Sequence, residues 1–123
     1  MKITKIMKAY QALCKVSTQE LPYSTAHDIL IAKHTLYPHV QFFSENEMKI
    51  AQKYAEKEDG KIKITDGGYN VAANVREDCV RELMELSDVD VEFTPVTVHV
   101  KANFSISVDD LEALEGVIKI ADD

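Results

Sequence analysis

Between Ser24 and Lys57 apolar residues recur at alternating spacings of four and three: Ile29, Leu36, Val40, Phe43, Ile50 and Tyr54. Lys33 and Glu47 fall on the same seam as polar interruptions. A mean spacing of about 3.5 residues places all these positions on one stripe of an α-helix, whereas a strand would divide them between two faces. Ala26, Leu30, Tyr37, Met48 and Ala51 widen the stripe on one flank. The spacing therefore predicts one long helix over residues 24–57, with Ser24 or Thr25 as its N-cap. If straight it would span about 50 Å at 1.5 Å per residue. Pro38 removes a backbone donor and disfavours the helical conformation at Tyr37, so a kink or short break is expected there. The charged run Glu56, Lys57, Glu58, Asp59 and then Gly60 end the helix.

The remaining segments read as partners for this helix. Ile3, Ile6, Met7, Tyr10, Leu13 and Cys14 predict an amphipathic helix over residues 2–16, with Lys2, Lys5, Lys8 and Lys15 toward the other side. The short connection Ser17–Pro22 makes the two helices antiparallel neighbours. Ile62 and Ile64 alternate ahead of Asp66-Gly67-Gly68, which predicts a hairpin over residues 61–72. Asn74 and Glu77 resemble a capping box before a third helix at 73–87. Residues 89–102 alternate as strand, first through Val89, Val91 and Phe93 and then, with changed parity after Thr94-Pro95, through Val96, Val98 and Val100. Ser107 and Asp110 open a short helix at 108–115 that Gly116 stops, and Ile118 and Ile120 can form a last strand. The fold class expected is α+β, a single domain over residues 1–123. It comprises an N-terminal helical hairpin with one long, Pro-kinked helix, a third helix and a small antiparallel sheet.

A chain of 123 residues with 46% hydrophobic residues is able to bury one core. No apolar run approaches the roughly 20 residues of a membrane span, and no membrane partner is expected. The N-terminal stretch is amphipathic and broken by lysines, unlike a secretory signal, so a cytoplasmic location is expected. Cys14 and Cys79 then read as free thiols on apolar helix faces. The net charge of −7 is uneven: residues 1–43 carry five lysines and two acids, or +3, and residues 44–123 carry −10. An acidic chain is a poor general binder of nucleic acid, where phosphate contacts dominate, but a local basic pocket for a small anion is compatible with this balance.

Tests for chemistry mostly return structural readings. His27, His34 and His39 are seven and five residues apart, not the three or four that aim two rings at one metal. Asp109, Asp110, Glu112 and Glu115 belong to the opening of a helix, where acids suit the macrodipole. Neither a phosphate-binding glycine loop nor a GxSxG elbow is present. The expectation is a protein that is not an enzyme and needs no cofactor and no metal. One cluster carries a ligand reading. Lys33 interrupts the apolar seam, where an unpaired ammonium would be costly, and shares a helix region with His34 and Tyr37. Lys8 and Tyr10 join if the first helix packs nearby. Snorkelling of Lys33 to solvent is the structural alternative.

The stretches MKITKIMKAYQALCKV, LPYSTAHDILIAKH, KYAEKEDGKIKITDGGYNV, VRELMELSDVDVEFTPV and ISVDDLEALEGVI follow in this order over nearly the whole chain. In them the sequence resembles a family of small uncharacterised proteins of tailed phages and prophages of Gram-positive bacteria. It departs from the family pattern at Pro38–Phe43 and Val96–Phe104. The resemblance transfers no catalytic motif. It implies a phage-encoded binding protein acting in the host cytoplasm, either sequestering a small anionic nucleotide that serves as an immune signal or blocking a host protein. The alternative it implies is a virion, tail or assembly component. For either role, a homo-oligomer through the long helix is expected.

Overall fold

The computed structural model describes residues 1–65, 68–100 and 104–122. The fold is α+β, with four helices and short two-stranded sheets among the described residues. Its contacts gather into two compact units, Met1–Val40 with Asp90–Asp123, and Gln41–Val89.

The first unit holds α1 (Ile3–Val16), the leading part of α2 (Tyr23–Tyr54), β5 (Val96–Val100), α4 (Val108–Leu114) and β6 (Ile118–Asp122). The predicted apolar face of α1 is buried: Ile3, Ile6, Ala9, Ala12, Leu13 and Val16 are all nearly inaccessible. Each fully buried isoleucine, leucine or valine among them contributes about 1.5–3 kcal/mol. Ile6, Ala9, Ala12, Leu13 and Val16 meet Ile29, Ala32 and Leu36 from α2, and Val98, Leu114, Val117 and Ile118 from the C-terminal segment, in one core. α1 and α4 are also tied at the surface. Lys5 Nζ donates to the Glu112 carbonyl at 2.8 Å, and Lys15 pairs with Asp110 at 3.3 Å.

β5 and β6 pair in parallel, Val96 with Ile118 through Val100 with Asp122. The expected antiparallel pairing is found in the two hairpins described below and not in this pair. The connection between β5 and β6 contains α4, so the second strand returns in the same direction, as a helical crossover requires. Of the strand expected over 89–102, only Val96–Val100 forms; residues 101 and 102 lie outside the described residues. The segment before Pro95 is not a strand, although Met1 and Val91 exchange main-chain hydrogen bonds. The parity change at Thr94-Pro95 marks where the strand starts. Ser107 caps α4 by accepting from the Asp110 N–H at 3.1 Å, and Gly116 follows with φ of 82°, as expected.

α2 is one helix through Pro38, which does not break it, and it ends at Tyr54 rather than Lys57. Of its predicted stripe, Ile29 and Leu36 are buried and Val40 is half-buried, whereas the flanking Leu30 and Tyr37 are about half exposed. The stripe that packs is therefore narrower than the spacing suggested. The helix starts at Tyr23, so neither Ser24 nor Thr25 is its N-cap; Thr25 is buried and its hydroxyl donates to the His99 carbonyl at 2.7 Å.

The second unit contains the rest of α2, two hairpins and α3 (Arg76–Ser87). β1 (Lys57–Glu58) and β2 (Lys61–Ile62) are joined by Asp59-Gly60, whose φ values of 53° and 77° are those a two-residue hairpin turn demands. The charged run read as a helix terminus is thus largely a hairpin. β3 (Ile64–Thr65) and β4 (Gly68–Tyr69) form a hairpin within the predicted 61–72, whose turn at Asp66-Gly67 lies outside the described residues, while Lys61–Ile62 pairs with β1 instead. α3 begins at Arg76, later than expected, and the capping box does not form. Val75 is the N-cap and no side chain caps the helix, while residues 73–75 make a turn. Cys79 and Leu86 are buried in this unit with Ala51 and Ala55. Both cysteines are free thiols.

Candidate functional site

Packing of α1 beside α2 brings together three of the five residues expected in a site. The Tyr10 ring of α1 lies 6.1 Å from the Tyr37 ring, centroid to centroid, at 45°. Lys33 Nζ stands 6.0 Å from the Tyr10 centroid, within reach of a cation–π attraction. Lys33 and Tyr37 are four residues apart on α2 and so share a face. Lys33 and Tyr10 are half-buried, and Tyr37 is 49% exposed. Partial burial, with Cys14 and Tyr37 as lesser causes, pushes the Tyr10 phenol up from its ordinary value, so it stays neutral and can donate a hydrogen bond.

Lys8 and His34 do not join this group. Lys8 is exposed, and two residues from Tyr10 along a helix it faces another way. His34 is exposed, and as the neighbour of Lys33 in sequence it projects from a different face of the helix. What remains is a cation over one ring, with a second ring against the first. Such an arrangement suits a planar or apolar anion, with the ammonium meeting the charge and the rings meeting the body. Lys33 makes no ion pair among the described residues.

A second constellation escaped the sequence reading. Asp28 Oδ2 accepts from the His99 main-chain N–H at 3.0 Å and lies 3.1 Å from His99 Nδ1. These bonds, the main-chain one first, hold the Asp28 carboxyl below the usual carboxylate range. An ionised carboxylate only accepts, so the His99 ring meets it through an Nδ1–H. With Thr25 on the His99 carbonyl, both main-chain polar groups of this residue are satisfied from α2. The pair therefore closes one edge of β5 rather than arming a catalyst. No signal in the sequence links residues this far apart.

In the second unit, Lys53 and Glu82 pair at 3.2 Å beside a surface hollow of about 350 Å³. The Tyr54 hydroxyl first, and Lys53 after it, hold the Glu82 carboxyl below its ordinary range. Among the described residues no group of three or more His, Cys, Asp or Glu side chains is placed to hold a metal ion. No helix among them is long and apolar enough to cross a membrane. Compared with protein-family models, curated proteins and solved structures, the chain matches none of them.

Proposed function

We propose that this chain is a non-enzymatic binding protein of the phage-infected cell, with a small organic anion as its ligand. The observation that carries the reading is the Lys33 ammonium over Tyr10 with Tyr37 alongside, a cation and two rings gathered from two helices. A planar anion such as a nucleotide satisfies all three groups at once. This fits the role suggested by the resemblance to phage proteins, capture of a nucleotide immune signal. The positive balance of residues 1–43 favours an anion at this end of an otherwise acidic chain.

The test starts with protein purified from its expression host. Its mass in solution is measured, it is heat-denatured, and the filtrate is chromatographed for nucleotides; the intact protein is then titrated with mono- and cyclic nucleotides. The reading expects a nucleotide in the filtrate or a binding isotherm, weakened at least tenfold by Lys33→Ala in a variant that keeps its circular dichroism. An empty filtrate with no binding of any nucleotide removes that ligand class.

A second reading, a virion or assembly component, has one observation in its favour. Leu30, Ile31 and Tyr37 on α2 are each nearly half exposed, the kind of apolar helix surface that subunits of an assembly bury together. Recovery of the chain from gradient-purified particles by mass spectrometry would move the assignment there.

A further inference from the structure

Lys33 borders two features. Its ammonium lies over Tyr10, and the same residue lines a groove of about 350 Å³ in the first unit. That volume falls in the range of roughly 300–1,000 Å³ typical of small-molecule sites. Leu21 from the connection and Ala26, Ile29 and Leu30 from α2 supply its apolar lining.

We propose that this groove binds a small amphipathic anion, with an unbranched apolar chain along Leu21, Ala26, Ile29 and Leu30 and one anionic head group on Lys33. The inference rests on Lys33 as the anion anchor, as above, but places the body of the ligand in the groove instead of against the tyrosine rings. Three observations select this chemistry. First, the side chains of Ser17 and Gln19, which also line the groove, are already bonded within the protein. The Gln19 side chain both donates to the Ser105 carbonyl and accepts from the Ser105 N–H, and the Ser17 hydroxyl donates to the Cys14 carbonyl. A sugar or a second phosphate lying there would find few partners, and unpaired polar groups oppose binding. Second, among the described residues Lys33 is the one cationic residue lining the groove, so the groove complements one negative charge. Third, Tyr23, which also lines the groove, is 96% exposed, the most exposed of the large apolar side chains among the described residues. Its ring has nearly all its apolar area available to fold over a bound alkyl chain.

The experiment titrates the intact chain by calorimetry with octanoate, octanol, octylamine and AMP. Octanoate should bind at least tenfold more tightly than octanol, and octylamine should not bind. Lys33→Gln should weaken octanoate at least tenfold, and Leu30→Asp, at a half-exposed position, should abolish binding. In case either variant misfolds, amide shifts of the unmodified protein give an independent reading. Octanoate should move signals of residues 17–33 and leave those of 41–89 in place. Equal binding of octanoate and octanol, no binding of octanoate, or shifts confined to other residues would overturn the proposal. AMP binding that depends on Lys33, without octanoate binding, would sink this inference and leave the nucleotide reading standing. Octanoate binding without AMP binding would do the reverse, and silence from both would end both.

Discussion

Thr25 and Asp28 sit about one turn apart on α2, and between them they hold the main-chain N–H and C=O of His99. An edge strand with open polar groups invites pairing with other chains, so this arrangement protects β5 as well as anchoring it. It also makes one residue report on acidity. The Asp28 carboxyl is depressed in the folded chain by the His99 main-chain N–H and then by its ring, while in the unfolded chain it titrates near its ordinary value of about 3.9. A depressed carboxyl contributes stability that is present above the unfolded value and drains away as pH falls through the folded one. Asp28→Asn should therefore lower the denaturation midpoint at neutral pH and narrow the gap to the parent protein as the pH is taken below about 4. Urea melts at several pH values check this. A gap that stayed constant down to the acid limit would show that the carboxylate charge has no part in the contact.

Among the elements, α1 and the long helix were readable from periodicity alone, because the buried positions Ile3, Ile6, Leu13, Ile29 and Leu36 recur at helical spacing. The two hairpins and the parallel pair were less so. Asp59-Gly60 closes β1 on β2, but its charged neighbours read equally well as a helix end, since short polar strands carry no hydrophobic alternation. The parallel pairing of β5 with β6 follows from the helix between them, yet nothing local in Ile118 and Ile120 names their partner strand. The site was legible to the same degree. Lys33 and Tyr37 share a face by spacing, Tyr10 joins them only through packing of α1, and the Asp28–His99 contact is purely tertiary. The β1–β2 turn gives an element-scale prediction. Gly60 has φ of +77°, and a Cβ there would meet nothing within 4 Å, so backbone conformation alone sets the effect of a substitution. Gly60→Ala should destabilise the hairpin by about 1–2 kcal/mol, the cost of the left-handed region for an L-residue. Gly60→Asn should cost less, because asparagine tolerates that region. Chemical denaturation of the two variants compares them, and equal losses would contradict the account.

At the scale of the whole molecule, apolar burial is uneven. The principal core belongs to the first unit, whereas the second buries Ala51, Ala55, Cys79 and Leu86 among its described residues, mostly small side chains. Regions with few buried apolar contacts open more readily. Native-state hydrogen exchange should therefore find lower protection for amides in β1, β2 and α3 than for those of residues 6–13 and 29–36. Equal protection across the chain would mean that the two units open together. The first unit also closes around a gap in the sequence. Its core joins Ile6, Leu13 and Leu36 to Val98, Val117 and Ile118, with Gln41–Val89 between them in the chain. During synthesis, at roughly 5–20 residues per second, Leu36 precedes Val98 by several seconds. Over that interval the helical pair is made but lacks its cover, and its apolar face is open to chaperones. The second unit, local in sequence, can form while the ribosome is still working. The chain's largest core is thus among the last parts of it to be completed.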